Sequence, residues 1–251
     1  MNFSGLLRRF ADKLIKKPLP RIVTIKTFLP DGCRFEISTP VEEFRVERFG
    51  GEEDFTKMIL SELTPSDILF DIGACVGMIT IHAAKMGVRV VAFEPDPGYQ
   101  SRLETNLRLN GLDQVKVINW AVSNMQGETV LYTDGVNGNS PSLREVENRG
   151  SAVIKTNTID GALTRGEIPT PTVVKLDIEG AEILALRGMG HLLQSPTAPR
   201  AIFIETHPKF LPFFGSSEKE VLSMIESFGY VQVSKTERQG QIHYAFKRNP
   251  H

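Results

Sequence analysis

Cysteine is nearly absent from this chain. Two residues in 251, Cys33 and Cys75, exclude a disulfide framework, and a reducing, cytoplasmic setting is the expectation. Long apolar runs are missing as well. None reaches the ~18 residues needed to span a bilayer, and the first residues carry charge where a secretory signal needs an apolar segment. Charge of either sign is in no excess: 29 Lys and Arg stand against 30 Asp and Glu, so no overall basic bias points to a nucleic-acid partner. Repeats are absent, and the only markedly polar, low-complexity stretch is the loop from Asp134 to Arg149. What is there is a chain 41% hydrophobic, enough for one sizeable core.

Two segments carry the most information. Ile68-Leu-Phe-Asp71-Ile-Gly73-Ala74-Cys75-Val-Gly77 is an apolar run ending in Asp-x-Gly-x-x-x-Gly, and Val90-Val-Ala-Phe-Glu94-Pro95-Asp96 is a second run ending in an acid. Strand, glycine turn, helix and acid-tipped strand together form a nucleoside-binding unit. The glycines allow close backbone approach, the helix N-terminus favours an anionic group, and the acid accepts ribose hydroxyls. A dinucleotide site needs a differently spaced glycine set and a clear path to a pyrophosphate, which a carboxylate at Asp71 repels. S-adenosylmethionine fits better: its cationic end faces Asp71 and its ribose diol faces Glu94. The site set for it is Asp71, Gly73, Ala74, Gly77, Glu94 and Pro95, with Trp120 and Ala121 at the end of the next strand to cover the adenine.

Along the rest of the chain, residues 1–17 read as a basic amphipathic helix. Phe3, Leu6, Leu7, Phe10 and Leu14 share one face, and Pro18 and Pro20 stop it. Docking on its own domain or on a second subunit is one use of such a stripe; peripheral contact with an anionic membrane is the other. Residues 21–27 and 33–38 form a hairpin, and 50–63 a helix. Strands are expected at 68–72, 89–93, 115–122, 128–132, 152–156, 172–177, 200–205, 229–234 and 242–247. Helices are expected at 76–86, from Asp96 to before Gly111, at 181–187 and at 217–227. The last two strands are joined by a polar turn and must run antiparallel. The fold class is therefore α/β: a doubly wound, seven-stranded, mostly parallel sheet with one antiparallel strand. Residues 1–50 form an extension, and 51–251 carry the sheet.

A second constellation closes two strands: Lys175-Leu-Asp177-Ile-Glu179-Gly-Ala-Glu182 and Glu205-Thr-His207. In open α/β sheets ligands sit at the carboxyl ends of the strands, so both segments should face the site served by Asp71 and Glu94. Lys175, costly in an apolar strand, needs Asp177 or Glu205 as a partner. Asp177 is assigned to the acceptor or the transferable methyl group, and His207 or Glu205 to proton removal. No dedicated metal-ligand spacing is present and no metal is expected, although Asp177, Glu179, Glu205 and His207 are the side chains that could take a divalent cation. The loop Gly135–Ser142 is a candidate lid over the acceptor.

With these residues in place, the sequence resembles the FkbM-type family of S-adenosylmethionine-dependent methyltransferases. The matching pieces are Asp71-Ile-Gly-Ala-Cys-Val-Gly, Phe93-Glu-Pro-Asp-Pro, Asn106 with Asn110, Ala121-Val-Ser, Gly127, Thr158-Ile-Asp160, the Lys175–Glu182 block and Glu205-Thr-His207. The family often has Asn where Cys75 stands. The resemblance implies O-methylation of a hydroxyl on a sugar, glycolipid or secondary metabolite, a small-molecule or glycan acceptor, and residues 51–251 as the methyltransferase domain. RNA methylation is the alternative suggested by the Glu94-Pro-Asp-Pro helix. A non-catalytic nucleoside-binding module is a second, disfavoured by the strand-tip acids.

Overall fold

The computed structural model describes residues 18–137, 140–238 and 240–248. The helix expected over residues 1–17, with its membrane or subunit contact, lies outside them. The expected hairpin is present: β1 (Arg21–Ile25) pairs antiparallel with β2 (Cys33–Ile37), Arg21 opposite Ile37. Next comes α1 (Pro40–Glu47), which the sequence reading missed. It opens on a capping box: Thr39 Oγ1 accepts from the Glu42 amide at 3.1 Å, and Glu42 Oε2 accepts from the Thr39 amide at 3.2 Å. The helix expected over 50–63 is a short 3₁₀ turn at Phe49–Gly51 followed by α2 (Glu53–Glu62).

The core alternates as the apolar runs require. β3 (Ile68–Ile72), α3 (Met78–Lys85), β4 (Arg89–Phe93), α4 (Pro97–Leu109) and β5 (Lys116–Ile118) form the first half. Asp96 caps α4 by accepting from the Tyr99 amide at 2.8 Å, with Pro97 at the first helical position. The strand expected over 115–122 is broken in two. After Ile118 the chain leaves the sheet, and β6 (Ala121–Val122) joins a separate three-stranded sheet with β7 (Gly127–Tyr132) and β8 (Ser151–Asn157). The break seats the Trp120 ring edge-on against Phe93, centroids 5.2 Å apart. A run of β-prone residues cannot report such a corner.

The second half supplies α5 (Ile159–Thr164), β9 (Val173–Leu176), α6 (Glu182–Gly188), α7 (Gly190–Gln194), β10 (Ala201–Thr206), α8 (Glu218–Ser227), β11 (Tyr230–Arg238) and β12 (Gln241–Arg248). The main sheet runs β11-β12-β10-β9-β3-β4-β5, and only β12 runs against its neighbours. That is the expected seven-stranded sheet. Alternate residues feed its two faces: Phe70 and Ile72 pack toward α6 and α8, while Leu69 packs with Phe55 and Ile59 of α2.

The hairpin is fastened rather than loosely appended. Its inner residues Cys33, Phe35 and Ile37 share one apolar cluster with Ile81 of α3 and Leu103 of α4. Asn106 Oδ1 accepts from the Glu36 amide at 2.8 Å while its Nδ2 donates to Val76 O, and Asn110 clamps the Arg34 amide and carbonyl at 2.9 and 2.7 Å. Asp160 is also structural: its two oxygens accept from the His191 and Leu192 amides and cap α7. Among the described residues no helix is long and apolar enough to cross a membrane.

Candidate active site

The neighbouring strands β10, β9, β3 and β4 all end on one edge of the sheet, so the acids at their tips converge. Glu94 is held by two backbone amides, Cys75 N–H to Oε2 at 2.8 Å and Asp96 N–H to Oε1 at 3.0 Å. Each oxygen keeps a second lone pair for a ligand. Burial pushes the Glu94 carboxyl up to about 7, against the pull of those two amides. Beside it lies a largely apolar slot walled by Phe93, Pro95, Trp120, Ala121 and Leu131, with Asp177 at its inner end. Trp120 packs on Phe93 and lines the slot.

Asp71 is placed differently from the expectation. It does not stand open at the mouth of the turn. Its Oδ2 accepts from Thr80 Oγ1 at 2.6 Å, its Oδ1 lies 3.2 Å from Lys175 Nζ, and the side chain is almost wholly buried, with only an edge reaching the adjoining chamber. Lys175 takes Asp71 as its close partner. Asp177 is second at 3.8 Å, and the lysine also donates to Gly73 O at 2.7 Å. The pair thus props the glycine turn from below. The glycines serve packing as much as any ligand. Gly73 sits at φ +84°, and a Cβ there would meet Asp177 O at 1.9 Å; at Gly77 it would meet Leu103 Cδ1 at 2.6 Å. Gly73 and Ala74 also donate to Phe93 O, stitching the turn to β4.

Asp177 lines two adjoining chambers, the apolar slot and a second cavity bounded by Arg45, Glu52, Ala74 and Lys175. Its carboxyl is held well above the usual range by burial and by the charge of Glu205. Glu205 and His207 sit behind it, each only 2% exposed, and neither lines these chambers. His207 Nδ1 lies 2.8 Å from Glu182 Oε1, while its Nε2 lies 3.3, 3.4 and 3.9 Å from Glu205, Glu179 and Asp177. Burial opposes the imidazolium, but Glu182, Glu205 and Glu179 outweigh it and bring the pKa up to about 11. Burial likewise opposes the Glu205 carboxylate, and His207 and His243 outweigh it to hold the pKa down to about 2.

Several site residues escaped the sequence reading. Arg45, from helix α1, is half-buried, donates to Ser140 Oγ at 2.9 Å and lines all three cavities. His243 stands opposite Glu205 in the β10–β12 register and bonds it at 2.7 Å. That pairing is inferable once the two strands are placed side by side. Next to the slot, sharing Arg45, Ser140 and Glu179 with it, a wider basin opens, walled also by Ser142, Arg144, Phe210 and Arg238. Ser140, Pro141 and Ser142 of the expected lid wall these cavities.

The profile described as the Methyltransferase FkbM domain matches residues 71–231, which takes in every strand-tip acid just described. The chain belongs to the FkbM methyltransferase family. It is 33% identical over 167 residues to the hexuronic acid methyltransferase AglP of Haloferax volcanii, covering 65% of this chain and 67% of that protein. It is also 33% identical over 104 residues to the ribosomal RNA small subunit methyltransferase A of Thermotoga maritima, covering 36% and 37%. Among solved structures, a precorrin-6y C5,15-methyltransferase from Geobacter metallireducens shows 14% identity and a TM-score of 0.47, covering 78% of this chain and 87% of that one.

This FkbM methyltransferase uses S-adenosylmethionine as methyl donor. Its slot suits the nucleoside: an apolar wall for the adenine and an anchored carboxylate with spare lone pairs for the ribose. Glu94 makes the fit pH-dependent. If the diol bonds the ionised form, binding releases the proton that the empty site holds below about pH 7, and affinity should fall about tenfold per pH unit below that point. Calorimetry across a pH series should show that slope, and Glu94→Gln should bind more weakly and flatten it. An unchanged slope in the variant would remove Glu94 from the ribose.

Proposed function

We propose that this enzyme transfers the methyl group to a hydroxyl oxygen of an anionic sugar or glycan. One observation carries the reading: the slot that Asp177 lines shares Arg45, Ser140 and Glu179 with a basin whose wall also includes Arg144. Neither of these two arginines has an ion-pair partner among the described residues, whereas the basin's Arg149 and Arg238 pair with Asp134 and Glu52. Arg144 lies over the rings of Phe210 and Phe213, at 4.7 and 5.2 Å. A cation backed by aromatic faces suits a sugar bearing a carboxylate or phosphate. The Haloferax relative, whose name states hexuronic acid, supports that acceptor class.

The donor supplies an electrophilic methyl group, and the chain supplies position and a proton path. Arg45 and Arg144 bind the acceptor's anionic group. The Ser140–Ser142 segment covers the acceptor, and Asp177 turns its hydroxyl toward the slot and takes the proton as the new C–O bond forms. Lys175 and His207 hold Asp177 in place, and Glu205 holds His207. The hairpin and α1 act as an extension that delivers Arg45.

Methyl-labelled donor incubated with the enzyme and hexuronate-containing glycans should label the glycan. The label should survive mild alkali, as a methyl ether does and a methyl ester does not. Alkali-labile label would move the target to the acceptor's carboxylate. Label that fractionates with RNA and is released by ribonuclease would replace this reading with the nucleic-acid one.

A further inference from the structure

His207 poses a question that methyl transfer alone does not answer. The ring is buried, and Phe210 stacks on it at 5.9 Å with the planes 7° apart. On one side, Nδ1 meets Glu182 Oε1, which also accepts from the Gly180 amide at 2.8 Å. An acceptor-only carboxylate so engaged requires Nδ1 to carry the hydrogen. On the other side, Nε2 has no hydrogen-bond partner, yet it looks into oxygens of Glu205, Glu179 and Asp177 at 3.3, 3.4 and 3.9 Å. Nε2 facing three carboxylates must carry positive charge, either the proton of the imidazolium described above or a cation that takes that proton's place.

We propose that this point binds a divalent cation of the Mn²⁺ class, ligated by Nε2 of His207 and by carboxylate oxygens of Asp177 and Glu205, with Glu179 at the mouth. The three ligand atoms of Asp177, Glu205 and His207 lie within 4.8 Å of one another. Adjacent ligands on an octahedral ion with ~2.1 Å bonds stand about 3.0 Å apart, and the separations at Nε2 approach that edge length. An imidazole with two carboxylates is a mixed nitrogen–oxygen set, which suits Mn²⁺ better than the all-oxygen preference of Ca²⁺. The surroundings are those of a built site. Glu182 orients the ring through Nδ1, the arrangement usual behind a metal-bound histidine. His243 fixes the far oxygen of Glu205 at 2.7 Å, leaving Oε1 to face His207. Asp177 and Glu179 open onto the cavities, so the ion has an entry path and can reach the acceptor. Metal binding itself needs no acceptor. Only the ion's use rests on the function proposed above, where it would lower the pKa of the hydroxyl it touches.

The test is a Mn²⁺ titration of the chelator-treated full-length protein, followed by loss of the free-ion electron paramagnetic resonance signal. Donor binding is measured by calorimetry on the same preparation. One saturable site per chain is expected. Glu179→Gln, at the open rim, should weaken it about 10-fold, and Glu205→Gln by about 100-fold or more. No saturable Mn²⁺ binding by the unaltered protein overturns the proposal, and so does affinity unchanged in Glu179→Gln and Glu205→Gln. In either case the charge at Nε2 is a proton. Failure of donor binding alone would count against the nucleoside slot and leave the metal result standing.

Discussion

Asp177→Asn should lower turnover by about 10²–10⁴-fold while the donor's dissociation constant moves only a few-fold. Asparagine keeps the shape but cannot take a proton, and it is a poorer partner for any cation at His207. The slot beside Glu94 and Trp120, proposed to hold the donor's nucleoside, keeps its other lining residues. In the proposed mechanism the side chain acts on the reacting hydroxyl, so the loss belongs in the transition state. Single-turnover kinetics with a labelled glycan would separate the two effects. A variant that turns over normally would reduce Asp177 to a packing role, and one that loses donor affinity in proportion would assign it to the cofactor.

The largest stability effect is expected at Lys175. Its Nζ lies 3.2 Å from Asp71 with both side chains buried, so Lys175→Met strands a carboxylate in the core. Removing one partner of a buried pair costs about 3–5 kcal/mol, a large part of the roughly 5–15 kcal/mol that holds a domain folded. Denaturant unfolding should show that loss, and Lys175→Met combined with Asp71→Asn should recover much of it because the closest and most buried of the lysine's carboxylate partners is then neutral. Equal destabilisation in the single and double variants would mean that the ammonium matters through Gly73 O instead.

How much of this the sequence shows depends on the kind of signal each element carries. β3 and β4 have the expected bounds because continuous apolar runs bounded by Gly, Asp and Pro leave little choice. Asp96 and Pro97 likewise mark the start of α4. The helix α1 went unseen because among its eight residues only Glu42 and Val46 are buried, too few to show a period. Its sequence signals were the Thr39–Glu42 capping box and Pro40 at the first helical position. Helices α5 and α7, six and five residues long, are also too short for periodicity. The strand-tip acids could be named from spacing alone. Their partners could not, because the Asp71–Lys175 and Glu205–His243 pairs depend on which strands lie side by side. Spacing also placed Asp71 toward the donor, whereas packing commits most of its carboxylate to Lys175 and Thr80.

One contact limits how such an enzyme can change over generations. The turn at Gly73 and the backbone at Asp177 approach so closely that a single added carbon would collide with the Asp177 carbonyl. On the proposed mechanism, the loop assigned to the donor and the loop assigned to the acceptor are therefore one mechanical part. A substitution that re-aims residues 177–180 toward a new sugar drags the donor loop with it, so new specificity won there comes at the expense of donor affinity. The rim is tied less closely: Arg144 and Ser142 border the basin from a separate loop, whereas Phe210 packs against Gly180 and belongs to the joint. Acceptor preference should drift at the rim while the joint stays fixed, and libraries aimed at new acceptors belong there.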